Sequence, residues 1–70
     1  MGIGDMRNDP QIGQSWQHHS GRMYQVILVT NTTHPSDKFP VTVVYQNMTN
    51  ATVWSRPLSD WHRSFTEMPS

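Results

Sequence analysis

The sequence predicts a small, strongly bent all-β barrel, and three observations carry that expectation. β-branched and aromatic residues collect in short runs that alternate in polarity. Gly, Asn, Thr, Ser and Pro collect between those runs, where turns need them. The chain has 70 residues, no Cys and 34% hydrophobic residues, so its core rests on a few aromatic and branched side chains without disulfides or a thiolate metal site.

The elements follow in chain order. Residues 1–12 carry scattered charge and no periodicity and read as a flexible N-terminal arm. The domain spans residues 13–66, and residues 67–70 form a tail. Residues 15–19 form a first strand, and the Ser20-Gly21-Arg22 turn leads into a second over residues 23–30, the richest β-former run in the chain. The two prolines in residues 31–40 exclude a central strand there, so this stretch is a variable and mobile loop. Residues 41–46 alternate as a strand, residues 47–50 turn, and residues 51–56 return antiparallel. Pro57 stops that strand. Leu58, Trp61 and Phe65 then recur at helical spacing, with Ser59 as the cap of a short helical turn that lays them on the sheet.

Composition excludes several functions. Five basic and five acidic residues cancel, leaving no excess charge for non-specific nucleic-acid binding by counterion release. The longest apolar run, residues 26–29, is far too short to cross a bilayer, and the amino terminus has no signal-peptide pattern, so a cytoplasmic protein is expected. Asn31, Asn47 and Asn50 begin Asn-X-Thr sequons, which in such a protein serve as turn residues.

No catalytic residues emerge. Ser15, Ser20, His18 and Asp60 form no recognisable nucleophile elbow, and no pair of carboxylates lies within sequence reach. No metal site is expected either, because His18 and His19 point to opposite faces of a strand, and only His34 or His62 remains as a further ligand. No cofactor is implied.

Alternation puts Trp16 with His18 on one face, and Trp54 with Arg56 on another. Two readings of these residues stand side by side. In one, the faces meet and two indoles, an imidazole and a guanidinium hold a small anionic ring-containing ligand, such as a nucleotide or a nucleotide-derived signal. In the other, both Trp side chains cap the core and Arg56 covers them with its aliphatic stem. Tyr24 and Tyr45 fall on core faces with their hydroxyls at the rim, which adds Tyr45 to the candidate ligand contacts.

From residue 13 to residue 65 the chain resembles the domain of unknown function 1653 family of small bacterial and phage proteins. The resemblance rests on Trp16, His18, Gly21, Tyr24, Val26, the run Val43-Val44-Tyr45-Gln46 and the run Trp54-Ser55-Arg56-Pro57-Leu58. It implies a compact SH3-like barrel with five antiparallel strands, no attached activity and, through the phage members, a viral origin in a host cytoplasm. Residues 31–40 depart from the family pattern of an Arg-His pair and an acidic stretch. Asn31 and His34 are therefore the expected loop contribution to the site.

The combined expectation is a non-enzymatic binding module that holds or sequesters an anionic ring-containing signal at Trp16, His18, Tyr45, Trp54 and Arg56. The alternative is a protein-interaction module whose aromatics form a groove for a host protein or for a second copy of the chain. Low hydrophobic content and small size also predict a homo-oligomer, most simply a dimer.

Overall fold

A computed structural model describes residues 8–68, so residues 1–7 of the expected arm 1–12 and residues 69–70 of the expected tail 67–70 lie outside the described residues. The chain forms β1 (Ser15–His18), β2 (Met23–Thr30), β3 (Thr42–Asn47), β4 (Val53–Pro57), a 3-10 turn (Leu58–Asp60) and β5 (Phe65–Glu67). All strand pairs are antiparallel in one sheet of order β4-β3-β2-β1-β5. Four strands run as a meander, and the fifth returns beside the first, the connectivity of small SH3-like barrels. The backbone ladder stays open, with β4 and β5 as its edges. Side chains close the curl: Tyr45 on β3 meets Phe65 on β5 at 5.3 Å between ring centroids, although two strands lie between them in the sheet.

One irregularity decides what β2 buries. Its register with β3 shifts between Val26 and Leu28, so Ile27 is an extra residue. The bulge leaves Ile27 and Leu28 both exposed and turns Val29 back against the core beside buried Val26. Without it, strict alternation would put Leu28 inside and Val29 outside.

The core is Trp16, Tyr24, Val26, Val43, Tyr45, Trp61 and Phe65. Trp61 and Phe65 stack at 4.0 Å with their planes 7° apart, and Trp16 meets Trp61 edge-on at 5.6 Å. Five of these seven side chains are aromatic, which is how a short chain fills a core with few residues. Leu58, Trp61 and Phe65 do face inward together, but through a different backbone from the expected helical turn. The 3-10 turn ends at Asp60, and Phe65 already belongs to β5, paired with His18. Ser59 is not the cap; that position is Pro57, which has no side-chain capping bond.

The ends of the domain also extend past the expected boundaries. Glu67 pairs with Trp16, and the Met68 N–H donates to the Ser15 carbonyl at 3.0 Å. At the other end Pro10 is buried and His62 Nε2 lies 3.2 Å from Asp9 Oδ1. Gln14 ties both ends together: its Oε1 accepts from the Gln11 N–H and from Trp16 Nε1, and its Nε2 donates to Glu67.

Asn residues shape the turns as their side chains allow. Buried Asn47 accepts the N–H groups of Thr49 and Asn50 on Oδ1, at 2.8 and 3.1 Å, and so closes the β3–β4 hairpin. Asn31, at φ 63°, donates through Nδ2 to the Pro40 carbonyl at 2.9 Å and pins the two ends of the long loop.

Candidate functional site

The residues singled out by sequence do not form one group. Trp16 is 2% exposed, donates its indole N–H to Gln14 and packs on Trp61, so a ligand arriving from solvent does not reach it. Trp54 is 54% exposed on the edge strand; its indole N–H donates to Thr52 Oγ1 at 2.9 Å, and no aromatic ring pairs with it among the described residues. The two indoles therefore follow the two readings one each. Trp16 belongs to the core, and Trp54 is an open surface.

His18, Tyr45 and Arg56 do converge, and the group that joins them is Phe65. The His18 ring meets Phe65 edge-on at 5.1 Å, while the Arg56 guanidinium lies 5.0 Å from the centre of the same ring. Arg56 also sits 5.9 Å from the Tyr45 ring centre and donates from Nε to the Tyr45 hydroxyl at 3.3 Å. β-Strand register explains the placement, because Arg56 lies opposite Val43 and Trp54 opposite Tyr45, all facing the inside of the curl. The spacing of Leu58, Trp61 and Phe65 marks Phe65 as a packing residue but carries no sign that it floors this rim.

Electrostatics limit what the rim can take. The Asp60 carboxylate lies 3.7 Å from Arg56 Nη1, and the Asp60 carbonyl accepts from the same nitrogen at 3.5 Å. Asp60 also pairs with Arg63. An incoming anion must compete with this carboxylate for the Arg56 fork. Burial pushes the His18 pKa below the ordinary 6.5, and the nearby His19, Arg56 and Arg22 push the same way. Its Nδ1 accepts the Ser20 N–H at 3.1 Å, which places the ring proton on Nε2.

A concavity lies elsewhere, among the described residues. A cleft of about 470 Å³ opens between the long loop and the 3-10 turn, lined by Pro35, Ser36, Asp37, Pro40, Val41, Leu58 and Ser59. Its walls are mostly apolar and Asp37 is its one ionisable lining residue. A second cavity of about 210 Å³ shares Val41 and Leu58 with it and runs on toward Asp9, Pro10 and Gln11. Reciprocal backbone bonds between Ser36 and Phe39, at 3.0 and 3.1 Å, shape the loop, and Phe39 stands 63% exposed beside the cleft. Asn31 and His34 are exposed and line neither cavity; the loop residues that line the first are Pro35, Ser36, Asp37 and Pro40.

No group of three or more His, Cys, Asp or Glu side chains suited to a metal ion occurs among the described residues. No helix there is long and apolar enough to cross a membrane.

Fold and surface together define a small all-β domain whose rings are mostly spent on its core, with an apolar cleft beside a loop. The chain belongs to the family described as Protein of unknown function (DUF1653), whose model matches residues 14–68. No curated protein and no solved structure matches it significantly.

Proposed function

We propose that this protein is a non-enzymatic interaction module whose cleft takes an extended apolar segment of a partner protein, with a basic residue of that segment beside Asp37. The observation that carries this reading is the lining of the cleft: Pro35, Pro40, Val41 and Leu58 with a single carboxylate. Apolar walls with one placed charge suit a peptide's side chains better than an anion. Exposed Phe39, on the same loop between Asp37 and Pro40, offers an aromatic side chain of the kind that dominates interface energetics. A viral protein acting on a host partner in the cytoplasm fits this mode of binding. The test is a two-dimensional amide NMR titration with proline-containing cationic peptides. Shifts centred on residues 35–41 and 58–59, reduced by Asp37→Lys, support the reading; shifts elsewhere, or none at millimolar peptide, refute it.

A second reading keeps the small anionic ring-containing ligand, such as a nucleotide-derived signal, at the rim of His18, Tyr45 and Arg56 with Trp54 beside it. One observation favours it: the Arg56 side chain is still 22% exposed above an aromatic floor. Thermal-shift measurements with mono-, di- and cyclic nucleotides test it, and Asp60→Asn should strengthen any such binding by removing the competing carboxylate.

A further inference from the structure

Main-chain accounting along β4 identifies another surface. The Asn47 N–H donates to the Thr52 carbonyl, and the Leu58 N–H donates to the Val41 carbonyl, both at 2.8 Å. Between these two bonds the β3–β4 register runs without a shift, from Gln46 opposite Val53 to Thr42 opposite Pro57. Antiparallel pairs alternate between bonded and non-bonded, so Thr52, Trp54, Arg56 and Leu58 direct their main-chain groups at β3. Val53, Ser55 and Pro57 direct theirs away from the sheet. No described residue pairs with that outer edge.

We propose that β4 is a dimerisation edge, pairing antiparallel with β4 of a second copy of this chain about a two-fold axis at Trp54. In that register the Val53 N–H donates to the partner's Ser55 carbonyl and the Ser55 N–H donates to the partner's Val53 carbonyl. Symmetry doubles the set to four bonds and leaves no donor of Val53 or Ser55 unused. The neighbouring register, centred on Ser55, sets the Val53 carbonyl opposite the partner's Pro57, which has no N–H to give. Pro57 thus selects the register and stops the ladder from lengthening.

Self-complementarity names a second copy as the occupant. The edge carries donors and acceptors in an order that matches itself under a two-fold. Its outer-face side chains, Val53, Ser55 and Pro57, carry no charge to repel a copy, and the whole chain has a formal net charge of zero. Trp54, 54% exposed and without an aromatic partner among the described residues, meets the partner's Trp54 across a non-bonded pair, where side chains approach most closely. The other edge, β5, is only three residues long and offers no comparable ladder.

Analytical ultracentrifugation over a concentration series tests this, with tryptophan emission as a second readout. The expected mass rises from 8.1 kDa toward twice that value. Emission shifts to shorter wavelength in parallel, a change that reports Trp54 because Trp16 and Trp61 are already buried. Ser55→Pro removes an N–H that the folded monomer does not use, and Trp54→Lys puts a charge on the axis; each should weaken dimerisation by about tenfold or more. If Ser55→Pro fails to fold, Trp54→Lys decides alone. A wild-type chain that stays at 8.1 kDa at millimolar concentration overturns the proposal, as does a dimer that persists in folded Trp54→Lys or Ser55→Pro protein. Addition of an unrelated extended peptide to β4 of a monomeric chain also overturns it.

Discussion

Trp16 and Trp54 hold equivalent places in two strands, each the second residue and each facing the inside of the curl, yet one is 2% exposed and the other 54%. The difference lies in sheet order and in what returns over each strand. β1 sits between β2 and β5, and the segment after the 3-10 turn lays Trp61 against Trp16. β4 is an edge, and past it no described strand offers a ring to Trp54. An inward position supplies only the opportunity for burial. A neighbouring layer must supply the contact.

The largest effect should come from the sealed side. Trp61→Ala removes a fully buried indole stacked on Phe65 and should cost about 3–5 kcal/mol by denaturant midpoints, enough to threaten folding of a domain this small. A loss under about 1 kcal/mol would mean that the sealed region is no better packed than the open one.

Arg56 lies between the two regions, since it starts on β4 and reaches over Phe65 of β5. Its fork joins Tyr45 and Asp60 while its charge sits on two ring faces. Arg56→Ala should therefore cost about 1–3 kcal/mol, with Arg56→Lys recovering only part of it. Urea unfolding of both variants sharpens the comparison, for an Arg56→Ala protein as stable as wild type would show that nothing ties the open side to the sealed one.

Much of the fold was legible before any coordinates. β2 matches its expected run because β-branched and aromatic residues make up most of the stretch from Met23 to Thr30, and the prolines flanking residues 36–39 correctly mark a loop. What escaped was non-local. β5 has only three residues, Phe65–Glu67, and becomes a strand because β1 offers it an edge, so helical spacing of Leu58, Trp61 and Phe65 misled over its backbone. The bulge at Ile27 leaves no mark in a run where every residue from Val26 to Val29 is apolar. Among site residues, alternation paired Trp16 with His18 and Trp54 with Arg56 but did not say whether the two faces meet. The sealing of Trp16 and the cleft between distant loops depend on tertiary placement.

The open side contains a strained residue. Ala51 follows the Asn47 turn at φ 63°, a conformation unfavourable for a side chain with a Cβ. Ala51→Gly should raise stability by about 0.5–1 kcal/mol, as read by thermal unfolding. A loss of stability instead would show that the Ala51 methyl makes contacts worth more than the strain.

The smallest effect concerns pH. His18 has a folded pKa below its unfolded 6.5, with burial as the main cause, so the folded state disfavours the proton. Its contribution to stability is present above pH 6.5 and is lost as the pH falls below that value through the lowered folded pKa. Stability of the wild type should thus decline on mild acidification, and His18→Gln should flatten that part of the profile. An unchanged slope in His18→Gln would assign the decline to other groups.

The contrast between a sealed and an open indole is tested most directly by unfolding Trp16→Ala and Trp54→Ala side by side in urea, at a concentration low enough to hold both monomeric. Trp16→Ala should lose about 3–5 kcal/mol and Trp54→Ala about 1 kcal/mol or less. Equal losses, or a larger loss for Trp54→Ala, would contradict the division of this molecule into a filled core and an open working surface.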